Sequence, residues 1–187
     1  MSMAEQKYTN IHQDLIDQCR QGNRQAQFEI YKLYYKAMYN TSLRIINNTQ
    51  EAEDIMQEAF LSAFEKIDHY KEEVSFGAWL KRIVVNKSLD SLRKKHFEFE
   101  DIESQPLMHA AAEEPEDEVP YDPGVIRKAV EQLPAGYRTI LTLYLFEGYD
   151  HEEIAGIIGI SNATSRSQYF RARQKLKELL KMSMSYG

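Results

Sequence analysis

The sequence is poor in cysteine, has no long apolar run and contains no glycine-rich loop, and each shortage excludes a class of protein. Cys19 is the only cysteine in 187 residues, which excludes a disulfide framework and a cysteine-ligated metal site. No apolar run approaches the roughly 20 residues of a membrane-spanning helix. The first residues lack a signal-peptide pattern, so we expect a reducing, cytoplasmic setting.

Catalytic patterns are also missing. His151 stands beside Glu152 and Glu153, but the second histidine of a metalloprotease motif is absent. The other histidines show no ligand spacing, no serine and histidine can be paired from the sequence, and no glycine-rich loop is present to cradle phosphate. We therefore expect neither an enzyme nor a cofactor or metal site.

Acidic residues are concentrated in one stretch of the chain. The net charge of −6 argues by itself against a nucleic-acid-binding protein. Residues 96–122, however, contain ten carboxylates and no lysine or arginine. The remaining residues carry 19 acidic and 23 basic side chains, a net charge of +4. The parts that can fold are therefore mildly basic, and the stretch between them is strongly acidic.

Apolar residues recur at three- and four-residue steps, whereas no segment alternates with period two, so we predict an all-α fold. Residues 96–122 contain three prolines and have too little apolar surface to form a core. We predict two small helical domains, residues 1–95 and 123–187, joined by a flexible acidic linker, residues 96–122. The predicted helices span approximately residues 11–22, 23–48, 49–67, 76–95, 123–133, 137–146, 150–159 and 161–181.

Residues 150–181 predict a helix–turn–helix. Asp150 and Glu153 form a capping-box pattern, Gly159 ends the first helix, and Ser161 can cap the second. The second helix begins with short or forked hydrogen-bonding side chains and continues with cations, which is the order that a DNA recognition helix needs. The candidate DNA contacts are Thr164, Ser165, Arg166, Ser167, Gln168, Arg171 and Arg173. A helical hairpin with a solvated basic face is the alternative.

Two further helices carry polar faces. In the third helix the face opposite the apolar stripe is acidic, and lysine is nearly absent until Lys66. This face is either ordinary solvated surface or a docking surface for a basic partner. Its members are Glu51, Glu53, Asp54, Gln57, Glu58 and Glu65.

The fourth helix carries Arg82, Asn86, Asp90 and Arg93 on one polar stripe, with Lys87 beside it. An asparagine between cations suits the reading of a base edge while its neighbours hold phosphates. Three nearby aromatic residues could stack on an unpaired base, although spacing favours core positions for the last two. They are Tyr70, Phe76 and Trp79.

Four segments together resemble an extracytoplasmic-function (ECF) sigma factor of bacterial RNA polymerase, in the sigma-70 family. They are AEDIMQEAFLSAF (52–64), FGAWLKRIVVNKSLDSLRKK (76–95), LPAGYRTILTLYLFEGYDHEEIAGIIGIS (133–161) and SQYFRARQKL (167–176). They cover both predicted domains in the family's order. The resemblance implies that residues 1–95 are region two and residues 123–187 are region four.

The resemblance also implies partners and site residues. Region two is expected to bind the clamp helices of the largest polymerase subunit through Asp54, Gln57 and Glu58, and region four the flap of the second-largest subunit. The 69–75 loop is expected to receive a flipped minus-ten base, because a flipped base must be stacked and hydrogen-bonded elsewhere. The minus-ten contacts are Tyr70, Arg82, Asn86, Lys87 and Arg93. The minus-thirty-five contacts are the seven candidate residues of the helix–turn–helix.

The sequence is accordingly interpreted as a promoter-specificity subunit that recognises minus-ten and minus-thirty-five elements, assists melting and is controlled by an anti-sigma factor. A stand-alone helix–turn–helix regulator is the main alternative. It would need a dimer surface and would leave the acidic face and the Asn86 stripe without a role. An adaptor or anti-sigma decoy that keeps the fold is a further alternative.

Overall fold

The computed structural model describes residues 9–95 and 122–185, and the chain divides after Lys95 into two compact units. Over those residues the regular structure is helical without a strand, so the all-α prediction is confirmed. The predicted linker lies, apart from Asp122, outside the residues that are described. Each unit has its own core.

The first unit contains four α-helices. They are α1 (Gln13–Arg20), α2 (Arg24–Ile46), α3 (Thr49–Glu65) and α4 (Phe76–Lys94), with a 3₁₀ turn at Ile67–His69 after α3. The long helix α2 packs against the other three, and α3 also packs against α4. The fully buried side chains between them include Ile16, Ile30, Phe76, Leu80 and Val84. Burying such side chains supplies most of the stability of a helical unit.

Side-chain caps fix where these helices begin. Asn23 accepts hydrogen bonds from two backbone N–H groups at the start of α2, and Ser75 caps α4. Asn48 likewise accepts from the backbone N–H of Glu51. The Glu51 carboxylate, however, binds Ser91 Oγ on α4 and Lys95 Nζ just after α4. Because of these two partners, Glu51 links α3 to α4 and does not lie on the open acidic face.

The second unit is built around one long helix. Its elements are α5 (Pro123–Glu131), α6 (Ala135–Leu141), a π-helical turn (Thr142–Phe146), α7 (His151–Ile158) and α8 (Asn162–Ser185). α8 packs against α5, α6 and α7. Arg138 is buried and donates from Nη1 to the carbonyl oxygen of Leu133, 2.8 Å away, which ties α6 to the segment after α5.

The predicted 137–146 helix begins two residues earlier and changes to a π-helical turn at Thr142. Leu143 stays fully buried, whereas Tyr144, Leu145 and Phe146 are 36%, 51% and 47% exposed. π-helical turns occur frequently at functional sites. The turn thus carries three exposed large side chains, of which Tyr144 and Leu145 lie next to α8.

Gly159 provides a test of the turn between α7 and α8. Its φ of +83° is in the left-handed region, where a Cβ costs about 1–2 kcal/mol. We expect Gly159→Ala to lower the free energy of opening of α7 and α8 by about that amount, measured by amide hydrogen exchange. Gly156→Ala is the matched control. Gly156 lies inside α7 with open space around an added Cβ, so alanine there should stabilise the helix by about 0.5–1 kcal/mol. Equal effects at both positions would contradict the turn geometry.

Candidate nucleic-acid interface

The helix–turn–helix forms as predicted, with caps that place the start of α8 at the surface. Asp150 Oδ1 accepts from the backbone N–H groups of Glu152 and Glu153 at 2.8 Å, and Glu153 Oε2 accepts from the Asp150 N–H at 2.9 Å. This reciprocal capping box begins α7. After Gly159, Ser161 Oγ accepts from the Thr164 N–H at 3.0 Å and begins α8.

Five of the seven predicted contacts on α8 are exposed or partly exposed. Thr164, Ser167 and Arg171 follow one another at three- and four-residue steps on one flank, whereas Arg166 and Arg173 lie two turns apart on the other. Arg166 is exposed, and its Nε donates to Asn162 Oδ1 at 2.8 Å. This bond holds the guanidinium near the N-terminal end of the helix, which is the end that enters a DNA groove in a recognition helix.

Ser165 and Gln168 correct the sequence-based assignment. Both side chains are fully buried, because they share the inward face of α8 with the buried Ala172 at three- and four-residue steps. They are therefore not available to DNA in this structure. Their small or polar character suggests surface positions, whereas the helical period places them inside.

An aromatic cluster links the π-helical turn, α7 and α8. His151 Nδ1 is 2.9 Å from Ser165 Oγ, and the His151 ring stacks on Tyr144 with ring centroids 4.6 Å apart. Tyr169 contacts both rings. Burial, and then the positive charge of Arg166, lower the pKa of His151. The neutral imidazole is thus favoured, and it serves as a packing partner that links α7 to α8.

An apolar groove lies on the second unit beside α8. It has a volume of about 330 Å³ and is lined by Leu145, Tyr169, Leu176 and Leu180, with Arg173 and Lys177 supplying positive charge. The sequence analysis did not identify this groove. The apolar pattern of residues 137–146 predicts one helix but does not show that Leu145 is exposed. Arg173, predicted as a phosphate contact, lines this groove.

In the first unit, α3 presents an acidic surface that we define as Asp54, Gln57, Glu58 and Leu61. The three polar members, all predicted, are exposed. Leu61 is 64% exposed and lies seven residues after Asp54, hence on the same face. The sequence analysis missed Leu61, although its position off the apolar stripe was a readable signal. A basic partner with an apolar contact residue would match this surface.

The predicted stripe on α4 is exposed along its length. Arg82, Asn86, Asp90 and Arg93 all face outward, and Arg93 Nη1 pairs with Asp90 Oδ1 at 3.0 Å. Lys87 is partly buried, and its Nζ lies 3.6 Å from Glu58 Oε2. Exposed pairs of this kind contribute about 0–1 kcal/mol, so both cations can exchange these partners for phosphates at little cost.

Tyr70 is the third correction. The structure places it in the core, with 3% of its surface exposed, against Phe76 and Trp79. Its hydroxyl donates to the carbonyl oxygen of Val74 at 2.6 Å, and burial raises the pKa of that hydroxyl. A ring held in this way cannot stack on an extruded base without leaving the core. Tyr70 therefore supports the 69–75 loop from the side of the core.

Over residues 9–95 and 122–185 no group of three or more histidine, cysteine or acidic side chains is placed to hold a metal ion. Within the same part of the chain, no helix has both the length and the apolar character to cross a membrane.

Comparison with known proteins follows the division of the chain. Residues 30–98 match the family described as Sigma-70 region 2, and residues 124–176 match Sigma-70, region 4. The RNA polymerase sigma-H factor of Pseudomonas aeruginosa is 31% identical over 90% of this chain and 93% of its own. The ECF RNA polymerase sigma factor SigW of Bacillus subtilis is 30% identical over 89% and 95%. Among solved structures, the sigma factor RpoE of Bartonella quintana, in complex with the anti-sigma factor NepR, has a TM-score of 0.57. It is 27% identical and covers 82% of this chain and 95% of that one.

Proposed function

Since this chain belongs to the sigma-70 family of RNA polymerase sigma factors, in the ECF group, we propose that it directs core polymerase to promoters through three separate surfaces. The acidic surface of α3 docks on the enzyme, the α4 stripe meets the minus-ten element, and the start of α8 reads the minus-thirty-five element. The observation that carries this proposal is that α3 presents an exposed acidic surface and α4 an exposed polar stripe on one unit, while the helix–turn–helix belongs to the other.

The acidic surface is proposed to bind the clamp helices of the largest polymerase subunit. Asp54 and Glu58 offer negative charge on successive turns of α3, and Leu61 offers an apolar contact one turn further on. Charge complementarity gives such an interface its orientation and partner choice, while an apolar contact that becomes buried adds binding energy. In this complex a basic helix replaces Lys87 as the partner of Glu58.

The α4 stripe is proposed to hold melted minus-ten DNA. Arg82, Lys87 and Arg93 contact phosphates, and Asn86 contacts a base edge, since an amide can both donate and accept. Tyr70 is left out of this contact set because it is buried. The base pocket is assigned to the loop that Tyr70 supports.

In the second unit, Thr164, Arg166 and Ser167 are proposed to enter the major groove at the minus-thirty-five element, with Arg171 on phosphate. Arg166 has the forked geometry that suits a guanine edge. Arg173 and the other groove residues are proposed to receive an apolar helix of the polymerase flap. Helix-in-groove binding uses this combination of apolar floor and charged rim.

The proposed control is an anti-sigma factor that covers these surfaces, and the proposal is supported by the complex of the sigma factor RpoE with the anti-sigma factor NepR. We propose that the factor works in the cytoplasm and contributes binding and melting without a catalytic step of its own. The stand-alone regulator is disfavoured, because duplex binding by α8 alone leaves the acidic surface and the α4 stripe unused.

Run-off transcription tests the proposed function. Core polymerase is assayed on a fragmented genomic library with and without this protein. We expect a small set of new transcripts whose upstream sequences share two elements. Absence of new transcripts, together with tight binding of an operator by the protein alone, would support the stand-alone regulator.

Asn86→Ala tests the minus-ten assignment. We expect a loss of about 1 kcal/mol of discrimination at one minus-ten position, because the base edge loses an amide partner. Rates of initiation on single-base promoter variants would measure it. Asn40→Ala, an exposed asparagine on α2, is the control. If the order of preference among the four bases is unchanged, Asn86 does not contact a base edge of the minus-ten element.

A further inference from the structure

The helix α1 lies outside the residues that match region 2 of the family, which begin at position 30. It nevertheless makes several polar contacts with the 69–75 loop, whose central residues 70–75 are irregular backbone between two helical elements. Loops of this kind are normally among the least stable parts of a fold. Here, hydrogen bonds from α1 and from Asn10, which lies just before α1, are expected to stabilise the loop.

Asn10 joins the two ends of the loop. Its side chain is 8% exposed. Nδ2 donates to Tyr70 Oη at 2.9 Å, and Oδ1 accepts from the backbone N–H of Phe76 at 2.7 Å. Tyr70 Oη in turn donates to the carbonyl oxygen of Val74 at 2.6 Å. One buried amide and one buried phenol therefore fix the start of the loop against its end and against the first turn of α4.

Arg20 holds the middle of the loop. Nη1 donates to Glu72 Oε1 at 2.8 Å, Nη2 donates to the carbonyl oxygen of Tyr70 at 3.0 Å, and the guanidinium carbon lies 5.9 Å from the centroid of the Tyr70 ring. Gln13 Nε2 also donates to Glu72 Oε1, at 3.2 Å. The fork geometry matters, because a lysine can supply the charge but cannot reach both acceptors in this arrangement.

The backbone conformation of Glu72 is unfavourable by itself and indicates that contacts hold the loop in place. Its φ is +63°, in the left-handed region that is unfavourable for a side chain of this kind. Such conformations persist when the surrounding structure over-determines them, and they cluster at sites that must be pre-organised for a ligand. Gln13 and Arg20, which both donate to the Glu72 carboxylate, belong to α1.

We propose that α1, together with Asn10, is a positioning element that fixes the 69–75 loop in the conformation that receives an unpaired minus-ten base. Asn10 and Arg20 are its principal positioning residues. The inference rests on the proposed function, since the loop has a base to receive only if this chain initiates transcription. Binding a flipped base in a rigid pocket avoids the cost of ordering the loop at that moment.

The test uses the full-length chain and four variants. Arg20→Ala removes the fork, and Arg20→Lys keeps the charge alone. Glu72→Gly removes the carboxylate and relieves the left-handed strain, so it loosens the loop with little risk to folding. Arg24→Ala is the matched control, since Arg24 is an exposed arginine at the start of α2.

Two measurements are made on each variant. Amide hydrogen exchange of residues 70–76 in the free protein reports the loop, and open-complex formation with core polymerase on minus-ten single-base variants reports selectivity. We expect about tenfold faster exchange for Arg20→Ala and Glu72→Gly. We expect the ratio of rates between the preferred base and the others to fall about three- to tenfold in both variants, with affinity for core polymerase within twofold. The exchange rate and the selectivity ratio of Arg20→Lys should lie between those of these variants and those of the wild type. Both quantities should be unchanged in Arg24→Ala.

The outcomes separate the two claims. If amide hydrogen exchange of the loop is unchanged in Arg20→Ala and Glu72→Gly, α1 does not fix the loop. Faster exchange with an unaltered base preference overturns the positioning role. If the wild type initiates no transcription, the proposed function fails and takes the positioning role with it, while the exchange data still decide whether α1 holds the loop.

Discussion

Replacing both Asp54 and Glu58 by lysine is expected to weaken the binding of this protein to core polymerase by about 100-fold or more, since like charges brought together across an interface cost several kcal/mol. The two carboxylates lie exposed on successive turns of α3. In the proposed complex they face a basic helix, so the reversal replaces attraction with repulsion at two points. Equilibrium binding of labelled protein to purified core polymerase at two salt concentrations would measure the loss.

The fold and direct DNA contact should survive this change. Asp54 Oδ1 accepts an exposed hydrogen bond from Gln50 Nε2 at 3.3 Å, and Glu58 Oε2 lies 3.6 Å from Lys87 Nζ. Exposed contacts of this kind add little to stability. Asp14→Lys combined with Glu131→Lys gives the same change in net charge at exposed positions elsewhere and should bind core polymerase normally. Equal losses in both double variants would show that overall charge matters rather than this surface.

Leu61→Ala separates the apolar part of the docking surface from its charge. The side chain is too exposed to contribute much to the core, so the variant should fold normally. In the proposed complex the polymerase covers this leucine, so Leu61→Ala is expected to weaken binding to core polymerase at both salt concentrations, whereas the effect of the charge reversal depends on salt. The position of Leu61 follows from the helical period alone, since it lies opposite the buried side of α3, and the sequence could have revealed it.

The period of the α-helix accounts for most of the correct predictions made from the sequence. It also accounts for two incorrect ones, the assignments of Ser165 and Gln168 to DNA. The inward positions of α3 and α4 recur at three- and four-residue steps, and the structure buries them as expected. The same rule, applied to α8, places Ser165 and Gln168 inside with Ala172. Their assignment to DNA rests on their chemistry and their nearness to Arg166, which gives residue type more weight than position on the helix.

Other features depend on contacts between distant parts of the chain. Tyr70 is buried because Asn10, 60 residues earlier, satisfies its hydroxyl, and no local pattern indicates that partner. Asn48 and Glu51 have the spacing of a capping box, but Ser91 and Lys95 are brought close enough to take the Glu51 carboxylate. Local rules describe which bonds a side chain can make, whereas the tertiary fold decides which of them it makes.

The groove beside α8 is another feature that the sequence did not predict. Residues 137–146 have the apolar pattern of one continuous helix, and this pattern does not distinguish an α-helix from a π-helical turn. Leu143 is buried, whereas Leu145, two residues later, lines the groove. Which of the two leucines faces the core depends on the packing of the second unit, so the groove is visible only in three dimensions.

Arg166→Ala is expected to weaken binding to the minus-thirty-five element by about 1–3 kcal/mol, or roughly 5- to 150-fold, if the guanidinium is bidentate to a guanine. Arg166 is exposed at the N-terminal end of α8, and Asn162 Oδ1 orients its Nε at 2.8 Å, which leaves the two terminal nitrogens to form the fork. Binding of the polymerase holoenzyme to promoter fragments with intact and scrambled upstream elements would separate base reading from phosphate contact.

Lys175→Ala is the matched control for Arg166→Ala, because Lys175 is an exposed cation further along α8 that pairs with Glu178 at 3.0 Å. Its removal should cost little on either DNA. A loss in Arg166→Ala that is equal on scrambled DNA, with a salt dependence reduced by about one ion, would make Arg166 a phosphate contact. A loss confined to the intact element would make it the residue through which the second unit recognises promoter sequence.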